Sequence, residues 1–315
     1  MFSRLIKHKY LLITIVIVLL IAFWFSLIED GNYGATLFFT IPSSIAFLIG
    51  YSKTFEGNSL NKIKKGLKGF LTIIFAIALF SGLLILIGLE GAICVLMAYP
   101  FLVIPMTIAY IIGLFIGNAD RNTKRNSLVL IIMMNPTTYI YDSYTEPIIN
   151  EITTELIVNV PKENIWHDLS SEIVFENTPK LFFQKGISYP KSITFNKTNS
   201  KLSYLCITNN DTINLDILKF ETNSQVTFKL REQTIPMREL TPYDSIDAEH
   251  LHNYFFVNYG QIRLEDMGEN STKIIAKTSY SYKISPKWYW KLWSNYTINE
   301  MQLHVLNSIK DKYVK

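Results

Sequence analysis

The chain is poor in the residues that most chemistry needs. Among its 315 residues are two cysteines and five histidines. Two cysteines, one in each half, exclude a disulfide scaffold and a cysteine-rich zinc module. The histidines are His8, His167, His250, His252 and His304. Only His250 and His252 are close together, with no cysteine beside them to complete a zinc set. No GxxxxGKS or GxxxxGKT phosphate loop, GxGxxG turn, HExxH helix or GxSxG elbow occurs. Charge is scarce as well. Charged residues make up 18% of the chain and hydrophobic ones 49%, where a soluble protein carries about 25% charged residues. This excludes a disordered chain and argues against a wholly soluble one.

The charge that is present is unevenly spread. Residues 1–127 hold 11 Lys/Arg and 5 Asp/Glu, and residues 128–315 hold 19 and 21, so the halves carry +6 and −2. The second half is therefore no basic nucleic-acid binder. Four runs lack charge: Tyr10 to Ile28, Ala35 to Tyr51, Phe70 to Leu89 and Ala92 to Ile116, of 19, 17, 20 and 25 residues. A bilayer core takes about 20 apolar residues in a helix, so four spans are expected. The second is the weakest, being short and holding Pro42. Bulky Phe23, Trp24 and Phe25 stand where a signal peptide would carry small residues. Arg4, Lys7 and Lys9 precede the first run, Lys53 and Lys62 to Lys68 follow the second, and Arg121 to Arg125 follow the fourth. By the positive-inside rule the N-terminus is cytoplasmic. The expected location is the plasma membrane, with multiple passes.

Residues 128–148 are expected to be a connector. Leu128 to Met134 is apolar but too short to span, and reads as an interfacial or buried strand-like piece. The rival is a poor fifth span running to about Tyr144, which would move the following domain from the cytoplasmic side to the outer one. Gly113 and Gly117 form a small-xxx-small pair, the pattern that lets helices approach closely, against ordinary glycine use in membrane helices.

Residues 149–315 read as a soluble α+β domain. Ile152, Leu156, Val158 and Val160 share one strand face. Leu202 to Thr208 and Ile213 to Phe220 flank Asn209-Asn210-Asp211 as a hairpin. Ile274 to Ile284 alternates over a long strand. Ser285 and Pro286 suit the start of a helix that continues to about Tyr313. That helix is apolar around most of its circumference except a stripe of Glu300, His304, Asn307 and Asp311, so it must be buried on more than one side.

The strand ending Val158-Asn159-Val160-Pro161 before Ile165 and Trp166 resembles the opening of the START-like (SRPBCC) superfamily of polyketide cyclases and lipid-transport proteins. The closer resemblance is to uncharacterised, membrane-anchored bacterial members. It lies in Leu89-Glu90-Gly91-Ala92-Ile93-Cys94-Val95-Leu96-Met97-Ala98, Pro236-Met237-Arg238-Glu239-Leu240, His250-Leu251, Gly260-Gln261-Ile262-Arg263-Leu264 and Tyr289-Trp290-Lys291-Leu292-Trp293. The resemblance implies a helix-grip domain: a curved antiparallel sheet around a long C-terminal helix, with a cavity for a hydrophobic small molecule or lipid. The last helix departs from the pattern, with Asn299 and Gln302 where histidines are expected.

The candidate ligand-binding residues are Trp166, Phe183, Arg238, His250, Tyr280 and Trp290. On a strand Arg238 and Glu239 point to opposite faces, so only one of them faces inward. An inward Arg238 would bind an acidic head group. Cys206 reads as a buried, inert thiol. No metal, cofactor or catalytic residue is assigned. The expected function is membrane-anchored binding of a hydrophobic ligand, as carrier or sensor. The alternatives are an interaction protein serving another membrane protein, and a cyclase- or hydrolase-like enzyme using His250, Arg238 and Glu239.

Overall fold

A computed structural model describes residues 2–30, 32–52, 59–177, 179–198, 201–243, 246, 248, 251–252, 254–268 and 270–314. They form two units. One holds the chain up to Glu146 with two short later segments, beginning at Thr241 and at Ile284. The other holds the remainder.

The helical unit contains α1 (Phe2–Glu29), a π-helical turn (Thr36–Thr40) running into α2 (Ile41–Ser52), then α3 (Ser59–Leu86), α4 (Ala92–Ile116) and α5 (Arg121–Ser143). Among the described residues, three helices are long and apolar enough to cross a membrane: Leu11–Glu29, Gly66–Leu86 and Ala92–Ile116. This corrects the expected four. The second apolar run forms only the shorter helix Thr36–Ser52. At 1.5 Å per residue it reaches about 25 Å, short of a hydrocarbon core about 30 Å thick.

What the short helix lacks in length it gains in packing. A Cβ built on Gly113 would lie 2.2 Å from the Phe47 carbonyl oxygen, and one on Gly117 would lie 2.6 Å from that of Tyr51. On the facing helix, a Cβ at Gly50 would lie 2.3 Å from the Tyr110 carbonyl oxygen. Thus α2 and α4 touch backbone to backbone, and the Gly113/Gly117 pair does what its spacing suggested.

Leu128 to Met134 lies inside α5, not in a strand-like piece. Its apolar side chains recur at helical spacing: Leu128 and Ile131 pack with Phe47, Leu48 and Tyr51 of α2 and Ile13 of α1. Asp120 caps the helix by accepting from the Asn122 and Thr123 amides. Further along, the Asn135 amide donates to Ser44 Oγ at 3.0 Å. At its far end Asp142 accepts from the Ala35 amide (2.9 Å), the Thr36 amide (2.7 Å) and the Thr36 hydroxyl (2.7 Å). The carboxylate so caps the turn that opens α2. A Cβ on Gly34 would sit 2.2 Å from Asp142 Cγ, so this approach requires glycine. These contacts follow α5 along α2 in antiparallel order.

The second unit contains β1 (Ile148–Val158), α6 (Lys162–Leu169), β2 (Glu172–Val174), α7 (Leu181–Gln184), β3 (Pro190–Thr198), β4 (Lys201–Thr208), β5 (Thr212–Glu221), β6 (Gln225–Leu230), β7 (Phe255–Gly268) and β8 (Ser271–Tyr282). It closes with α8 (Lys287–Lys312). The strands make one curled antiparallel half-barrel in the order β1-β8-β7-β6-β5-β4-β3-β2. The expected α+β architecture and the alternating strands are present. In β1 the positions 150, 154 and 158 are buried while their neighbours are exposed. The Asn209–Asp211 hairpin forms, tied by the Thr208 hydroxyl accepting from the Asn210 and Asp211 amides. Among the described non-glycine residues, the left-handed ones fall in two other turns, at Asn223 and Asn270, where a short polar side chain tolerates positive φ.

The last helix is covered on both sides. Leu306 and Ile309 enter the core with Trp166, Leu215 and Val226. Its polar stripe meets the stretch between β2 and β3. Lys180 bonds Glu300 at 2.7 Å, the Asn177 amide donates to Asp311 at 3.0 Å, and His304 is edge-on to Tyr189 with centroids 5.3 Å apart.

Candidate functional site

The inner surface of the half-barrel divides into two regions. Around α6 the space is filled. Trp166 lies against Phe220 (centroids 4.8 Å), Phe220 stacks on Phe195 (5.3 Å), and Phe195 is edge-on to Tyr204 (5.6 Å). The Phe228 ring occupies the space left by Gly260, where a Cβ would meet it at 2.6 Å. The Tyr204 hydroxyl donates to the Leu169 carbonyl at 2.7 Å, and burial raises its pKa. Cys206 belongs to this core. Burial pushes its thiol up to about 11, so little nucleophilic thiolate exists at neutral pH.

The second region lies where β1 and β8 face α8. Tyr280, Tyr282 and Ile298 are buried there, with Ile152, Phe255 and Trp290 packed against them. Phe255 and Tyr280 stack at 5.5 Å, and Tyr280 and Tyr282 at 6.1 Å. The Tyr280 hydroxyl donates to the Asn295 side chain. Burial, and then the neighbouring Tyr282, push that phenol up to about 12, which keeps it a donor at neutral pH. A polar row continues from the rings. Thr154 Oγ1 lies 2.8 Å from the Asn299 amide and 2.5 Å from Gln302 Oε1, and the Gln302 amide donates to Thr278 at 2.9 Å. One hydroxyl proton serves one acceptor. The Thr154 proton is therefore given to either Gln302 Oε1 or Asn299 Oδ1, the two acceptors that face it.

The predicted ligand residues are not all neighbours. Tyr280 and Trp290 share the second region. Trp166 is part of the filled core. Phe183 is 2% exposed, edge-on to Tyr189 at 6.2 Å. Arg238 is exposed and its amide donates to the Gly186 carbonyl at 2.9 Å, while Glu239 is the buried member of that pair. His250 lies outside the described residues. Asn295, Thr154 and Thr278 were not anticipated. Their signal was available for the threonines, which occupy inward positions of alternating strands without being apolar. Asn299 and Gln302, noted as departures in the last helix, are among the groups that join α8 to the sheet. Among the described residues no group of three or more His, Cys, Asp or Glu is placed to hold a metal.

No family model and no curated protein matches the chain. Similar solved structures include an uncharacterized protein from Bacillus thuringiensis, 10% identical, covering 53% of this chain and 100% of that one, with a TM-score of 0.34. A truncated norcoclaurine synthase from Thalictrum flavum is 12% identical over 54% and 96% of the two chains, at 0.34. A conserved protein of unknown function from Enterococcus faecalis is 11% identical over 55% and 81%, at 0.28.

Proposed function

We propose that the C-terminal domain is a START-like binding module, held at a membrane by the helical unit, that takes up a small hydrophobic or lipid-like molecule. The observation that carries this reading is the ring cluster of Tyr280, Tyr282, Phe255 and Trp290 bordered by Asn295. Apolar walls with a few directed polar groups are the usual make-up of a ligand site. The cluster offers phenols, an indole and an amide, which suit binding better than proton transfer. Organic extraction of the full chain purified in mild detergent, followed by mass spectrometry, tests it. One retained molecule per chain is expected, lost in Tyr280→Ala and Trp290→Ala. A chain that retains nothing would favour the second reading, an interaction protein, which the ring-filled core around Trp166 and Phe228 supports.

We infer further that, beside the three long apolar helices, the short α2 also crosses over a locally thinned bilayer and that α5 is a fifth crossing. It ends beside Ala35 and Thr36, just beyond the end of α1, and begins just after α4. A chain with its N-terminus inside then has Arg4 to Lys9, Lys53 to Lys68 and Arg121 to Arg125 inside, and Glu29, Asp30, Glu90 and Glu146 outside. The binding domain falls on the outer side, which reverses the cytoplasmic expectation. Reporter fusions near residue 126 and at the C-terminus test this: opposite sides are expected, and the same side would reject the fifth crossing.

A further inference from the structure

The first turn of α8 belongs to the helical unit. Three bonds hold it there. The Ser285 amide donates to the Tyr33 carbonyl at 3.0 Å, Lys287 donates to the Glu146 carbonyl, and the Tyr289 hydroxyl donates to the Met97 carbonyl. Rings complete the attachment. Phe101 of α4 is 8% exposed, enclosed by Phe39, Trp288 and Tyr289 with centroids at 6.1, 5.8 and 4.8 Å.

This attachment sets a depth. α4 is one of the three helices able to cross a membrane. Met97 and Phe101 lie five and nine residues beyond Ala92 at its start, about 8 Å and 14 Å along the axis. The Phe101 side chain leans back toward that start, so Trp288 stands beside the first turns of the span rather than above them. Leu96 and Ile104, at levels on either side of Phe101, are exposed apolar residues of the same helix.

The outer face of the turn is open and has a distinct make-up. Trp288 is 64% exposed although its ring packs on Phe101, and Leu292, one turn later, is 63% exposed. Tyr296 is exposed a further turn on. The spacing of four puts all three on one face of α8. Residues 283–299 include Lys283, Lys287 and Lys291 and no Asp or Glu. Aromatic rings with a polar edge are enriched at the boundary between headgroups and acyl chains, and lysine stems reach from there to the phosphates. An apolar helical face with cations beside it is the form that lies in this layer.

We propose that the first two turns of α8 lie in the headgroup boundary of the bilayer, with Trp288 and Leu292 inserted among phospholipid chains and Lys291 directed to their phosphates. The proposal rests on the reading of the helical unit as a membrane anchor and goes beyond it, since it gives the helix that closes the binding domain a lipid contact of its own. Depth and charge together select lipid over a soluble partner: a protein approaching from water does not reach a tryptophan at the level of the first turns of a membrane span.

The test places single nitroxide labels on the full chain in phosphatidylcholine vesicles, in a Cys94→Ser background where buried Cys206 stays unlabelled. The variants are Trp288→Cys, Leu292→Cys, Ile104→Cys on the span and Val314→Cys just beyond α8. Relaxation of each label is compared between oxygen, which concentrates in the bilayer, and a nickel chelate, which stays in water. Labels at 288 and 292 are expected to respond more to oxygen, as at 104, and the label at 314 more to nickel. Leu292→Cys changes an exposed residue, so it decides the matter even where Trp288→Cys does not fold. The proposal is overturned if the labels at 288 and 292 respond as the one at 314 does, or if they are shielded from both agents, as by a second copy or another protein. A label at 104 that favours nickel would reject the membrane anchor itself and this contact with it.

Discussion

Gln302 of α8 faces Thr154 of β1 across a 2.5 Å hydrogen bond, and its amide nitrogen reaches Thr278 on β8 at 2.9 Å. One side chain therefore ties the last helix to two adjacent strands. Gln302 is 5% exposed, so truncating it removes the amide that serves the Thr278 hydroxyl and leaves Thr154 with Asn299 alone. Gln302→Ala is expected to cost about 1–3 kcal/mol, read as a fall in the thermal midpoint of the detergent-solubilised chain. Adding Thr154→Val and Thr278→Val to Gln302→Leu should recover part of that loss. A fully additive triple variant would show that the three groups do not act together.

The glycine contacts predict a position-dependent response to one methyl group. Gly113→Ala places a Cβ 2.2 Å from the Phe47 carbonyl and should cost about 1–3 kcal/mol as an overpacked contact. A methyl group added at Gly82 would meet no atom within 4 Å. Gly82→Ala should be neutral or stabilise by up to about 1 kcal/mol, the helix preference for alanine. Equal thermal midpoints for the two variants would contradict the close seating of α2 on α4.

His304 predicts acid sensitivity. Burial lowers its pKa, partly opposed by its bond to the Pro190 carbonyl. The unfolded chain then takes up a proton more readily than the folded one. The stability held by neutral His304 is present above about pH 6.5 and declines as the pH falls below it. Thermal midpoints at pH 7.5 and 5 should differ less in His304→Gln than in the parent. An unchanged difference would remove His304 from the account.

Cys206 predicts the opposite limb. Its thiol titrates near 11 in the folded domain and near 9 when unfolded. The folded state keeps the proton longer, so stability falls as the pH rises through that interval. In a Cys94→Ser background, Cys206 should react with bromobimane at pH 8 only after denaturation. Rapid labelling of the native chain would refute its burial.

Much of the second unit was legible because its strands alternate cleanly and its last helix is too broadly apolar to have only one covered side. Gly113 and Gly117 were legible only as a pair on one helix face, since spacing alone does not separate close packing from ordinary glycine use; the backbone approach of α2 decides it. The course of α5 was not. Asn135 and Asp142 interrupt its apolar pattern, yet Ser44 and the Thr36 amide receive them. A hydropathy profile weighs each residue alone and does not see a partner about a hundred positions away. The inward-facing choice between Arg238 and Glu239 was similarly undetermined, since alternation gives two faces without saying which is inside. The partners of the polar stripe on α8 were not legible either, because they come from the distant positions 177, 180 and 189.

The seating of α2 on α4 also bears on the order of events at the ribosome. Phe47 and Tyr51 leave the exit tunnel well before Gly113 and Gly117, the residues that receive them. Until then the second helix is a short, serine-bearing segment with only α1 to pack on. Its close backbone seating is thus a late step of synthesis, possible only once the downstream helix has been made.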